Sequence, residues 1–79
     1  IIIDCKNVSF FDISAIFTLE EIIEKFRNKD FEIILVLRYR HKRKILSVDS
    51  NNVFKKIKIY SSLDDAINYT QKYELKNNG

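Results

Sequence analysis

The residues whose type and spacing could do chemistry are Asp12 and Ser14, two positions apart in the stretch Phe10-Phe11-Asp12-Ile13-Ser14-Ala15. An apolar-periodic segment begins just beyond them, so both fall at or near the amino end of a helix. Unpaired backbone N–H groups and the helix dipole favour negative charge there. Two kinds of chemistry fit. Asp12 or Ser14 can accept a hydrogen bond from the first turn and simply cap the helix. Alternatively, Ser14 is a regulatory phosphosite or anion contact, since a phosphate would meet those N–H groups and could pair with Arg38 or Arg40.

Catalytic chemistry has little to work with. His41 is the only histidine and lies among cations, and no nucleophile with a partnered base is evident. Cys5 and His41 are too few for a zinc site. The single glycine is the last residue, which excludes a P-loop or a dinucleotide fingerprint. The expectation is a non-catalytic protein that needs no cofactor and no metal. A lone cysteine rules out an intrachain disulfide and suits a reducing, cytoplasmic setting. At a strand end with apolar neighbours, Cys5 is expected to be a buried structural thiol.

The net charge is only +3, but its distribution is uneven. Arg38, Arg40, Lys42, Arg43 and Lys44 fall within seven residues, and Lys55, Lys56 and Lys58 make a second cluster. Tyr39 among the cations invites a nucleic-acid reading, yet a short cluster lacks the broad basic face that such binders present. No nucleic-acid partner is expected. The basic patch Lys42, Arg43 and Lys44 reads as a solvated helix face, or as a contact for a partner or an anionic membrane surface.

The elements that position these residues follow from hydrophobic periodicity. Ile1-Ile2-Ile3 is a β-branched run suited to a strand buried on both faces. Asp4 to Asp12 is a loop. Ile16, Leu19, Ile23 and Phe26 then recur at helical spacing, with Glu20, Glu21, Glu24, Lys25 and Arg27 opposite and a Glu21–Lys25 pair at i,i+4. Phe31 to Leu37 is a second, central strand. Arg40 to Val48 reads as a short helix anchored by Ile45, Leu46 and Val48, or as an ordered loop. In the turn Asp49-Ser50-Asn51-Asn52 the asparagines are the residues to adopt a left-handed conformation. Lys56 to Tyr60 alternates as an edge strand. Ser62-Leu63-Asp64-Asp65 resembles a capping box, and Leu63, Ala66, Ile67 and Thr70 line a last helix to about Glu74.

The fold class is therefore α/β: a βαβαβα unit with a mainly parallel sheet and helices packed on it. One domain spans residues 1–75 and a frayed tail 76–79. Parallel strands bring their functional loops to the carboxyl ends. That logic gathers Asp12, Ser14, Arg38, Arg40, Tyr60 and Ser61 on one rim, with the last four as partner contacts. A domain of 79 residues hides only ~60 to 65% of its unfolded surface, so its stability is expected to be marginal. No run is long and apolar enough for a membrane span. With no methionine at position 1, the chain is expected to be cut from a longer polypeptide.

The run Asp4-x-x-x-Val8-x-Phe10-Phe11-Asp12-x-Ser14-Ala15, followed by Leu19-Glu20-Glu21, resembles the core motif of the STAS domain, shared by sulfate transporters and anti-sigma factor antagonists. The resemblance extends through Phe31 to Leu37 and resumes at Ser61-Ser62-Leu63-Asp64-Asp65-Ala66-Ile67. The Leu-Glu-Glu continuation is closer to the SulP-type anion permeases. That likeness implies a regulatory module at the cytoplasmic face of the inner or plasma membrane, within an integral membrane protein that moves sulfate or a related anion. The implied partners are the parent's membrane domain, a cytosolic regulatory protein or a sister protomer, with the membrane surface nearby. It also implies that amino-terminal strands of the family's fold are missing, leaving a sheet edge. In the stand-alone antagonists the serine matching Ser14 is phosphorylated by a partner kinase. Here Ile13 and Ala15 replace the polar residue and the glycine of their usual Asp-Ser-Ser-Gly or Asp-Ser-Thr-Gly.

Overall fold

Apolar runs at 1–3 and 33–37 and an alternating stretch at 57–60 are buried together when strands stack, as they do in the computed structural model. It describes residues 1–78, with side chains to residue 72. Strands β1 (Ile2–Asp4), β2 (Ile34–Val36) and β3 (Lys58–Tyr60) form a parallel sheet in the order β1-β2-β3. Ile3, Leu35 and Ile59 lie in one register row, and Ile2, Ile34 and Lys58 in the next. Between the strands run α1 (Ile13–Arg27) and α2 (Tyr39–Ser47), and α3 (Leu63–Asn78) closes the chain.

Strand periodicity sorts the central segment onto two faces. Ile33, Leu35 and Leu37 join Ile16, Leu19 and Ile23 of α1 and Ile45 of α2 in the main core. Phe11, Val53 and Phe54 complete it. Ile34 and Val36 turn the other way, onto Ala66 of α3, with Ile2, Tyr60 and Tyr69 half-buried around them. Both crossovers thus pass over one face and the last helix covers the other, as parallel α/β sheets require. Residues 33–37 are all buried, so the central strand behaves as its composition predicts.

Three expectations change, and one open alternative is decided. The first strand is not buried on both faces: Ile1 is 45% exposed and Ile2 and Ile3 are half-buried, because β1 pairs only with β2 and lies at an edge. On α1 the ion pair formed is Arg27–Glu24 at 3.5 Å, not Glu21–Lys25. The segment at 39–47 is a helix rather than a loop, starting one residue early. Helix α3 runs beyond Glu74, to Asn78, and seats Ala66 while leaving Leu63 and Ile67 more than a third exposed. Those two flank the stripe that meets the sheet. Asn52 takes the left-handed conformation, φ 57°, and so does Asp30, φ 64°.

Candidate functional site

The carboxyl ends of β1 and β2 open onto a rim from which α1 and α2 both start. At the first junction Asp4 ends its strand by accepting from Lys6 N–H through Oδ1 (3.0 Å), which turns the chain out of the sheet. Its two aromatic residues then divide. Phe11 is buried in the main core, and Phe10 stands 68% exposed. Asp12 is the cap of α1: its backbone is extended and its Oδ1 accepts from Ala15 N–H at 2.7 Å. Capping by Asp12 leaves Ser14 uncommitted. Ser14 is exposed on the first turn, and among the described residues its hydroxyl has no hydrogen-bond partner, although its carbonyl accepts from Thr18 Oγ1 (3.0 Å).

The second junction is built differently. Arg38 precedes α2 with an extended backbone and makes no side-chain cap. Its Nε instead donates to the Lys6 carbonyl at 2.8 Å, tying the second junction to the loop of the first. No acidic residue occupies the first turn of α2. Its amino end therefore combines unpaired N–H groups and a positive dipole with Arg38, Arg40 and Lys42, an arrangement that repels itself until an anion or solvent relieves it. Among the described residues, none of Arg40, Lys42, Arg43 and Lys44 meets a carboxylate.

Helical geometry splits the basic patch. Lys44 lies toward α1, its Nζ 5.1 Å from the centre of the Phe10 ring, a cation–π contact. Arg43 is exposed on the outer surface. Lys42 lies on the far side, lining a depression with Leu46, Phe54 and Ile57. Between the two junctions is a cleft of about 260 Å³ lined by Ser9, Phe10, Phe11, Arg40, His41 and Lys44. A second depression, lined by Tyr39, Arg43 and Ser47, shares Arg40 and Lys44 with it.

His41 is the residue that sequence reasoning misplaced. It is not on the solvated face; it is 4% exposed, with its ring edge-on to Phe11 at 5.0 Å. Burial holds its pKa below the ordinary value, Arg40, Arg38 and Lys44 add to that, and the Ser9 backbone opposes it. His41 is thus a neutral core residue at neutral pH, and its Nδ1 is buried without a hydrogen-bond partner. The signal was present: His41, Ile45 and Val48 follow i, i+4, i+7 spacing. Asp49 was missed in the same way. It is 5% exposed and its two carboxylate oxygens accept from Val53 N–H (2.9 Å) and Lys55 N–H (3.0 Å), folding the 3-10 turn at Phe54–Lys56.

The remaining expected residues stand at the carboxyl end of β3, next to the second junction, where Leu37 N–H donates to the Tyr60 carbonyl at 3.0 Å. Tyr60 ends β3 with its ring 5.9 Å from Tyr69, on the face covered by α3, and Ser61 is exposed beside it. Ser62 caps α3 by accepting from Asp65 N–H at 3.2 Å. Cys5 is half-buried, and burial, then the neighbouring Asp4, push its thiol pKa up, which keeps it protonated and unreactive. Among the described residues no three His, Cys, Asp or Glu side chains come together, and no helix is long and apolar enough to cross a membrane. What the site offers is a surface: an open serine on a capped helix beside uncapped, unneutralised cations.

Comparison with known proteins gives one match. The sequence profile described as STAS domain matches residues 1–66, which includes both junctions and all three strands. No curated protein and no solved structure matches the chain.

Proposed function

The chain belongs to the STAS domain family, and from that premise we propose that it is a non-catalytic regulatory and interaction module of a SulP-type anion permease, at the cytoplasmic face of the membrane. The observation that carries an interaction role is the rim itself, where Ser14, Arg38 and Arg40 stand exposed while the groups that could have held them do structural work elsewhere. Asp12 is spent on the cap, and the acidic residues of α1 lie in its later turns. The permease context is supported by the Leu19-Glu20-Glu21 continuation of the motif. In this reading the rim contacts the membrane domain of the parent, a sister protomer or a cytosolic regulator, and moves no atoms itself. An antibody raised against these residues, used on fractionated native cells, tests it. A large band in the membrane fraction that survives salt and alkaline washing is the expected result. A small soluble band would overturn it.

A second reading is favoured by one specific observation, the unpartnered Ser14 hydroxyl. On the first turn of α1 a phosphate would sit at the positive end of the dipole, as in a stand-alone anti-sigma factor antagonist. In that case Ser14→Ala abolishes phosphate incorporation by the partner kinase and leaves its binding intact. Label remaining on the variant would place the acceptor elsewhere.

A further inference from the structure

The two junctions share a property that neither reading uses. Val8 and Phe10 of the first loop, Ile13 at the start of α1 and Tyr39 at the start of α2 are all large apolar residues left in solvent, with Phe10 and Tyr39 68% and 69% exposed. Other large apolar side chains, Phe17 and Phe31 among them, are exposed elsewhere, but the two most exposed such side chains among the described residues, Phe10 and Tyr39, both stand beside Arg40 and Lys44 at this one end of the sheet. The same end carries Arg38, Arg40, Arg43 and Lys44, which meet no carboxylate among the described residues. The positive ends of α1 and α2 add to their field. Negative charge near these residues is committed or set back: Asp4 and Asp12 are hydrogen-bonded to backbone, Glu20, Glu21 and Glu24 lie in the later turns of α1, and Asp64 and Asp65, in the first turn of α3 at this same end, lie with that helix on the other face of the sheet.

We propose that this rim seats directly on an anionic lipid surface, with Phe10 and Tyr39 entering the interfacial layer and Arg40, Arg43 and Lys44 pairing with headgroup phosphates. Protruding aromatics flanked by cations need apolar depth under a negative surface, which a bilayer supplies without any matching groove. The ring of Tyr39 suits the boundary, its body apolar and its hydroxyl wet. Nucleic acid is disfavoured because its phosphates offer no apolar layer for Phe10, Val8 and Ile13. Lipid contact concerns this surface whichever parent protein carries it, so a failed vesicle assay leaves the permease reading to its own test.

The experiment uses the 79-residue chain with vesicles of phosphatidylcholine, with and without phosphatidylserine. Co-flotation with the anionic vesicles only, weakening as salt is raised, is the expected result. Arg40→Gln and Lys44→Gln should each weaken partitioning about fivefold, and Phe10→Ser roughly tenfold, with unchanged melting temperatures. Phe10→Trp should shift its emission to the blue on anionic vesicles. Lys55→Gln, on the far side of α2, is the control and should act much less. Absence of binding to anionic vesicles at low ionic strength overturns the proposal. So does equal binding to neutral vesicles, or a loss in Lys55→Gln as large as in Arg40→Gln, which would reduce the effect to net charge.

Discussion

The amino ends of α1 and α2 occupy equivalent places at the tops of adjacent parallel strands, yet they are finished in opposite ways. At α1 an aspartate accepts from the first turn, three residues of one stripe (Ile16, Leu19 and Ile23) are buried, and the acidic residues follow later in the helix. At α2 no side chain caps, the first turns are cationic, and only His41 and Ile45 are buried. The first helix is locally self-sufficient. The second is held almost entirely by what lies beneath it, and its own charges work against it. A helix whose local preferences oppose its fold is held there by tertiary packing. On the reading proposed above, that contrast would put functional weight of the rim on α2 as well as on the motif around Ser14.

The contrast can be broken in several ways, beginning with the largest effect. Ile45→Ala removes the one fully buried aliphatic side chain of α2 and should cost about 3 kcal/mol in urea unfolding, enough to leave a domain of this size marginal. Hydrogen exchange on the variant should open α2 while α1 stays protected. Equal loss in both helices would mean that they are one cooperative unit and the comparison fails.

Acidification comes next. The folded state holds His41 below its ordinary pKa of 6.5, so the unfolded chain binds the extra proton between the two values. Stability is therefore full above about 6.5 and falls as pH drops through that value toward the lowered one. Melting temperature followed from neutral pH down to the carboxylate range should show the fall, and His41→Phe should flatten it. A profile unchanged by that substitution would assign the pH dependence to another group.

Smaller effects sharpen the picture at the caps themselves. Asp12→Ala should lower stability by about 1 kcal/mol, read as a fall of several degrees in melting temperature, while Asp12→Asn recovers most of it. Tyr39→Glu should do the reverse at α2. It places an acid in a first turn that has none and should stabilise by about 0.5 kcal/mol. If Tyr39→Glu were neutral or destabilising, the uncapped end would not be the weak point described above.

Much of the architecture was legible in the residues because each element carries its own period. Five consecutive aliphatics at 33–37 could only be a strand covered twice, and Ile16, Leu19 and Ile23 could only be one face of a helix. The site was legible in part. The dual role open to Asp12 and Ser14 is divided in the structure, with the cap going to Asp12, because its carboxylate reaches Ala15 N–H from outside the helix while Ser14 is already inside it. His41 and Asp49 were not legible by type, since a histidine among cations and an aspartate in a turn are exposed in most chains. Burial of His41 follows from its distance to Ile45, and burial of Asp49 from the two N–H groups that its carboxylate satisfies.

Local pattern by itself determined the three strands, the first and last helices and the parallel sheet, while the kind of element at 39–47 and the 3-10 turn at Phe54–Lys56 were left to the tertiary structure. Periodicity and capping are short-range properties, and parallel strands joined by helices leave few topologies to choose among. Only tertiary structure decided which of two adjacent aromatics, Phe10 or Phe11, would stay in water, and that the basic helix would press its histidine into the core while turning Arg40, Arg43 and Lys44 outward. Those outcomes depend on where α2 comes to rest against α1 and the sheet. That placement is set by the fit of side chains distant in sequence, which no local pattern encodes.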